Sequence, residues 1–328
     1  MFNKIVKTTV ALSLVATVAF GANGTRFNVI DGDVGKKYEN LLNDSLESKT
    51  GFVTSDGNGR INDAYADKYG NKENAGYDKD WKKNLDNLGF FTIVNDAKLN
   101  TLLKVSPEVA GFAPFNQLIY KKSAENKSYV GHLDPNTMLD IVGTKDANTR
   151  KEFVAMFDTL DKWTQDELGG KVETSTFAAL PAKTMMRFEI PVDRSGEIAD
   201  FLESYQENYE AAFEDKKYII AGYRDFKETY ADLEMDFAEY DAFFVYSLCH
   251  FTFSYNIFNK GRPDAGVFAP CSMYAYIKKD SNTMVLGMPT LANWPAIMDI
   301  KDPAKLEWVK KIDAEIISIM KSMGAKEI

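Results

Sequence analysis

Pro107-Glu108-Val109-Ala110-Gly111-Phe112-Ala113-Pro114 is answered later in the chain by Pro263-Asp264-Ala265-Gly266-Val267-Phe268-Ala269-Pro270. Both stretches read P-[ED]-x-x-x-F-A-P, and they stand 156 residues apart. Similarity at a fixed offset marks a repeated folding unit. Downstream, Tyr120, Lys122 and Lys145-Asp146 match Tyr276, Lys278 and Lys301-Asp302 at the same offset. Upstream, Arg26-Phe27-Asn28-Val29 answers Arg187-Phe188-Glu189-Ile190 at an offset of 161, so the first copy carries five extra residues between the anchors. The polar loop 68–80 is the place for them, because surface loops absorb insertions at little cost.

Each copy reads the same way. A strand (27–30, or 186–190) precedes a helix (38–48, or 196–213). A polar segment follows, then an apolar strand (90–94, or 243–248) and the P-[ED]-x-x-x-F-A-P stretch. Two further strands come next (117–120 and 128–131, or 273–277 and 284–287), and a long helix closes the copy (150–168, or 304–323). In the last helix Leu306, Val309, Ile312, Ile316, Ile319 and Met320 recur at helical spacing, a stripe suited to cover one face of a sheet. The fold expected is α/β of the two-layer α+β kind: a small domain, used twice, with a mostly antiparallel sheet covered by helices. Copy 1 spans 23–168, a Gly-Gly-led linker 169–183, and copy 2 184–328.

Residues 1–22 stand apart. Lys4 and Lys7 precede the apolar run TTVALSLVATVAF, and small residues follow. That order predicts a secretory signal cleaved after Ala19, Gly21 or Ala22. The apolar run is too short to span a bilayer comfortably, since a spanning helix takes about 20 residues. A periplasmic location is expected, with no membrane span left after cleavage. The full chain carries a net charge of −9. It shows no basic stripe, so nucleic acid is not an expected partner.

The sequence of a hydrophobic strand ending in Cys249, the turn Pro263-Asp264-Ala265-Gly266, and Pro270-Cys271 opening the next strand resembles the domain-of-unknown-function family DUF302. Copy 1 shows the pattern as Val94-Asn95, Pro107-Glu108-Val109-Ala110-Gly111 and Pro114-Phe115. The resemblance implies an α/β fold with a curved antiparallel sheet. It implies no activity. Val94 and Phe115 stand where copy 2 has its cysteines, so a thiol function would belong to copy 2 alone.

Three readings fit Cys249 and Cys271. They form a structural disulfide, or stay as two buried thiols, or make a redox or soft-metal (copper-type) site with His250, Met273 or Met288 as further ligands. Thr54 to Asp63 has the look of a calcium loop but lacks the final carboxylate, and it reads better as a turn. His132, beside an acid at a strand end, is either a base or a surface residue. No GxSxG, HExxH, Walker A or GxGxxG motif is present, so no enzyme class and no cofactor is indicated. The aromatic stretch 243–258 is either core or the wall of a pocket for a flat apolar ligand, with His250, Phe251, Tyr255, Phe268 and Tyr276 as its lining. The function expected is binding of a small apolar ligand or cofactor by an exported protein, with the pocket in copy 2 or between the copies. The alternative is a thiol or metal redox protein.

Overall fold

The computed structural model describes residues 21–328, so the stretch expected to be a secretory signal lies, up to residue 20, outside the described residues. Copy 1 runs β1 (Ala22–Asp31), α1 (Gly35–Asp44), α2 (Leu46–Thr50), β2 (Val53–Asn58), α3 (Ile61–Tyr65), β3 (Leu85–Val94), α4 (Asp96–Val105), β4 (Phe115–Lys122), β5 (Lys127–Leu133), α5 (Pro135–Val142), α6 (Ala147–Leu168) and β6 (Lys171–Phe177). Copy 2 runs β7 (Met185–Pro191), α7 (Ile198–Asp215), β8 (Tyr218–Asp225), α8 (Phe226–Asp232), β9 (Tyr240–His250), α9 (Phe251–Ser254), β10 (Cys271–Lys278), β11 (Thr283–Pro289), α10 (Asn293–Met298), α11 (Pro303–Ser322) and β12 (Lys326–Glu327).

The strands form two six-stranded antiparallel sheets, ordered β2-β3-β4-β5-β1-β6 and β8-β9-β10-β11-β7-β12. One order maps onto the other strand for strand, so the repeat is a repeat of topology. The expected strands are all present. The edge strands β2, β6, β8 and β12 were not expected. Edges are half-solvated, and β2 (VTSDGN) and β6 (KVETSTF) lack a continuous apolar run; β8 has only the short run YIIA inside a polar segment. The joint between copies is therefore not merely a linker: β6 lies within it and pairs with β1 as the outer strand of the first sheet. The single helix expected over 38–48 is broken at Ser45 into α1 and α2.

Local chemistry explains the long helices. Asp146 and Asp302 hold equivalent places as N-caps. Asp146 accepts the Thr149 N–H at 2.7 Å; Asp302 accepts those of Ala304 at 2.9 Å and Lys305 at 3.2 Å. Such caps satisfy backbone donors left open in the first turn. On α11, Val309, Ile312, Ile316, Ile319 and Met320 are buried.

Each sheet has two apolar faces. One is covered by the helices of its own copy: Phe115 packs on Phe153 and Phe157 of α6, with centroids 5.4 and 5.2 Å apart, and the Tyr209 hydroxyl of α7 reaches Met273 of β10. The other face is covered by the opposite copy. The 3-10 turn Pro107–Gly111 packs on β10 and β11, and the 3-10 turn Pro263–Phe268 packs on β4 and β5. The two sheets thus stack face to face through an exchange of the repeated motif. Among the described residues no helix is long and apolar enough to cross a membrane.

Candidate functional site: a cleft at the seam between the copies

The repeated motif builds the centre of the seam. Both motifs end in a cis peptide, Ala113–Pro114 and Ala269–Pro270. Phe112, Pro114, Phe268 and Pro270 meet around a recess of about 20 Å³. Asn116 donates to the Gly266 carbonyl at 2.6 Å across the seam. Gly266 is glycine for a steric reason: a Cβ there would stand 2.8 Å from Leu118 and 3.0 Å from Phe90. Each motif thus borders this recess and packs on strands of the opposite copy.

Strand register gives the residue equivalences on either side. Cys271 lies opposite Leu248, and Phe115 lies opposite Ile93. Stepping one residue on, Cys249, His250 and Phe251 correspond to Val94, Asn95 and Asp96. In the same way Phe90 faces Asn58 while Val245 faces Arg224, so Asn58 and Arg224 are equivalent edge residues. The seam has two ends related by this correspondence. At one end Arg224 holds Asp96 through Nη2, at 2.8 and 2.7 Å from the two carboxylate oxygens. Both side chains are largely buried there. Nearby the Tyr240 hydroxyl donates to the Leu103 carbonyl at 2.8 Å. That end is shut.

At the other end Asn58 and Phe251 stand in the equivalent places, and no ion pair forms between them. A cleft of about 380 Å³ opens between the sheets. Copy 1 supplies Asp56, Asn58, Phe90 and Thr92, and copy 2 supplies Ile219, Ala221, Cys249, Phe251 and Phe258. It continues past Asp56, Thr92 and Ala221 into a recess of about 110 Å³ that reaches Ser247 and Arg224. Two π-helical turns flank this end, Ala66–Gly70 and Tyr255–Asn259. Single π turns often sit at functional sites. Here they clamp the copies: Tyr69 stacks on Tyr255 at 3.6 Å, the Tyr255 hydroxyl donates to Asp78 at 2.7 Å, and Lys260 pairs with Asp78. Lys260 and Tyr255 together hold the Asp78 carboxyl down at about 2.

Of the residues expected at a site, Cys249 and Phe251 line the cleft. The others take different places. Tyr255 belongs to the aromatic clamp. Phe268 stacks on Trp294 at 5.4 Å, and Tyr276 stacks on Phe243 at 5.6 Å. Met288 is buried opposite Met186. The two thiols are free. Cys271 shares a sheet face with Leu248, its cross-strand partner. Cys249, one residue along β9, points to the opposite face. Cys249 therefore looks into the cleft, while Cys271 sits on the helix side. Burial pushes the Cys249 thiol up to about 11 and the Cys271 thiol higher still, so both are neutral thiols at neutral pH. Among the described residues no three of His, Cys, Asp and Glu converge as a metal site.

The histidines are structural. His250 caps α9: its Nδ1 accepts the Phe253 N–H at 3.2 Å, as Asn95 accepts that of Lys98 in copy 1. Burial lowers its pKa. His132 is neither at the surface nor free to act as a base. It is fully buried, with Nδ1 on the Leu133 carbonyl and Nε2 on Asp161, each at 2.8 Å. Two acceptors call for two N–H groups, hence the imidazolium. Burial opposes that charge, but Asp161 and the Leu133 carbonyl outweigh it and raise the pKa. Arg26 completes the group, 3.0 Å from Asp161. The calcium-like stretch contains a strand: β2 takes its first half and pairs with β3. Asp56 and Asn58, both on β2 within that stretch, line the cleft. Ile219, exposed, and Ala221, half-buried, stand in the short run YIIA of β8, which lies inside a polar segment of the sequence.

No family model matches the chain, and no curated protein matches it. Among solved structures, an uncharacterised conserved DUF302 protein from Bacillus stearothermophilus is similar, at 18% identity and a TM-score of 0.33. The match covers 41% of this chain and 95% of that one. The tandem organisation described above rests on this chain's own two sheets.

Proposed function

We propose that this chain is an exported, non-catalytic binding protein that holds a small apolar ligand in the cleft between its two copies. The observation that carries the reading is the cleft itself. It opens at one end of a seam whose equivalent end is shut by an ion pair, and its walls are mainly apolar with a few polar groups. A cavity of a few hundred Å³ with that lining is the usual form of a small-molecule site. Position between two domains is also usual for such sites. Export is supported by the order of charge, apolar run and small residues in 1–22. β1 begins at Ala22, which pairs with Phe177, so cleavage at or before residue 21 leaves that strand whole.

The test is binding of N-phenyl-1-naphthylamine, a neutral apolar fluorophore. The expected result is one saturable site, lost in Ala221→Trp, whose indole would fill the cleft from β8. Absence of binding, or binding unchanged in Ala221→Trp, overturns the reading. Sequencing the N-terminus of the protein from the periplasmic fraction tests export; an intact Met1 in the cytoplasmic fraction would refute it.

A further inference from the structure

The wall of the cleft carries one formally charged side chain, Asp56. Its Oδ1 accepts the Gly57 N–H at 2.7 Å. Its Oδ2 faces β8, 3.7 Å from where a Cβ on Gly222 would stand. That places the carboxylate at the junction of the cleft and the deeper recess, which it also lines. The guanidiniums closest to it in chain and space are engaged elsewhere. Arg60 is held bidentately by Asp63, at 2.9 and 3.0 Å. Arg224, which lines the same deeper recess, spends its Nη2 on Asp96, and no ion pair joins it to Asp56 among the described residues. The Cys249 thiol, with its pKa pushed up to about 11, is neutral. The cleft therefore presents an unpaired negative charge beside an apolar wall.

We propose that the cleft selects a cationic amphiphile: an ammonium group at Asp56, with an apolar body lying against Phe90, Phe251 and Phe258. This rests on the cleft being a ligand site and adds the class of ligand. Two alternatives are weaker. An anionic ligand would meet an uncompensated carboxylate in a chain of net charge −9, so both the local and the summed field oppose it. A neutral ligand would gain the apolar contact but leave Asp56 unpaired. A cation gains both, and aromatic faces add attraction for an ammonium nearby. Asp56 is exposed at the mouth, so the electrostatic gain is modest and salt-sensitive.

Displacement of N-phenyl-1-naphthylamine from the full mature chain tests this with three naphthalenes of one shape: 1-naphthylmethylamine, 1-naphthalenemethanol and 1-naphthoate. The amine is expected to bind about fivefold more tightly than the alcohol at low salt, and the carboxylate more weakly than either. The amine's advantage should shrink at about 0.5 M salt. In Asp56→Asn, an exposed and conservative change, amine and alcohol should come within about twofold of each other. Equal affinity for amine and alcohol on the native protein, or an amine advantage that survives Asp56→Asn, overturns the proposal while the cleft remains a ligand site. Failure of the fluorophore and of all three naphthalenes to bind would remove the cleft reading and this proposal with it.

Discussion

At one end of the seam Arg224 grips Asp96; at the equivalent place at the other end Asn58 stands across from Phe251. The backbone frame around the two pairs is the same, since both sheets have one strand order and β2 pairs with β3 in the register in which β8 pairs with β9. The difference lies in side chains. A partly buried, hydrogen-bonded ion pair closes one end, and an amide and a ring leave the other open. A tandem repeat of this kind gives a matched control inside a single chain. The copies agree where the fold is made, at the exchanged motif and the helix caps, and they part where a cavity appears.

The largest effect should come from the centre of the seam, which both ends share. Gly266→Leu would force a side chain into space already held by Leu118 and Phe90, the closer atom being 2.8 Å from a Cβ. We expect a loss of about 3 kcal/mol, at the upper end for overpacking, read as a shift in the urea midpoint. Gly196→Ala is the matched control. It has open space around it and should change stability by less than about 0.5 kcal/mol. Equal effects at the two glycines would break the account of the seam.

Next in size is the exchange of the two ends. Asn58→Arg combined with Phe251→Asp would copy the closing pair into the open end. Probe binding should fall by more than about tenfold, or about 1.4 kcal/mol. Arg224→Ala does the reverse. It leaves Asp96 largely buried without its partner and should cost about 2 kcal/mol, as removal of one member of a hydrogen-bonded charge pair does. If fluorophore binding survives the double substitution, the closing role of the ion pair is wrong.

Much of this frame was legible beforehand, for identifiable reasons. The motif repeat announced two copies, and in each copy the motif packs on strands of the other across the seam. Strands β3, β4, β9 and β10 carry near-continuous apolar runs, and Asp146 and Asp302 marked the starts of the long helices. The short helix α5 was not expected, although Asp134, Pro135 and Gly143 are residues that start and stop a helix. The site was less legible. Its walls come from the edge strands β2, which is largely polar, and β8, whose short run YIIA sits inside a polar segment, and from pairing across roughly half the chain. Cys249 and Cys271 look like partners in sequence. A one-residue register step sends them to opposite faces, and only the sheet pairing reveals it.

The smallest effects separate the two histidines, one in each copy. His250 accepts a hydrogen bond and is lowered by burial below the ordinary 6.5; its stabilising contribution is present above that ordinary value and is lost as pH falls through 6.5 toward its folded pKa. His132 donates two hydrogen bonds and is raised above 6.5 by Asp161 despite its burial; its contribution is fully present below 6.5 and is lost as pH rises through the higher folded value. Imidazole titration by NMR should therefore place the two midpoints on either side of 6.5, and Asp161→Asn should move only that of His132, downward. Substitution gives a second reading. His250→Asn restores the cap that Asn95 supplies in copy 1 and should leave stability within about 0.5 kcal/mol, whereas His250→Ala should cost about 1 kcal/mol, as loss of an N-cap does. A His250→Asn variant as damaged as His250→Ala would mean that the imidazole is needed for more than its lone pair, and that the equivalence of the two strand ends does not extend to their caps.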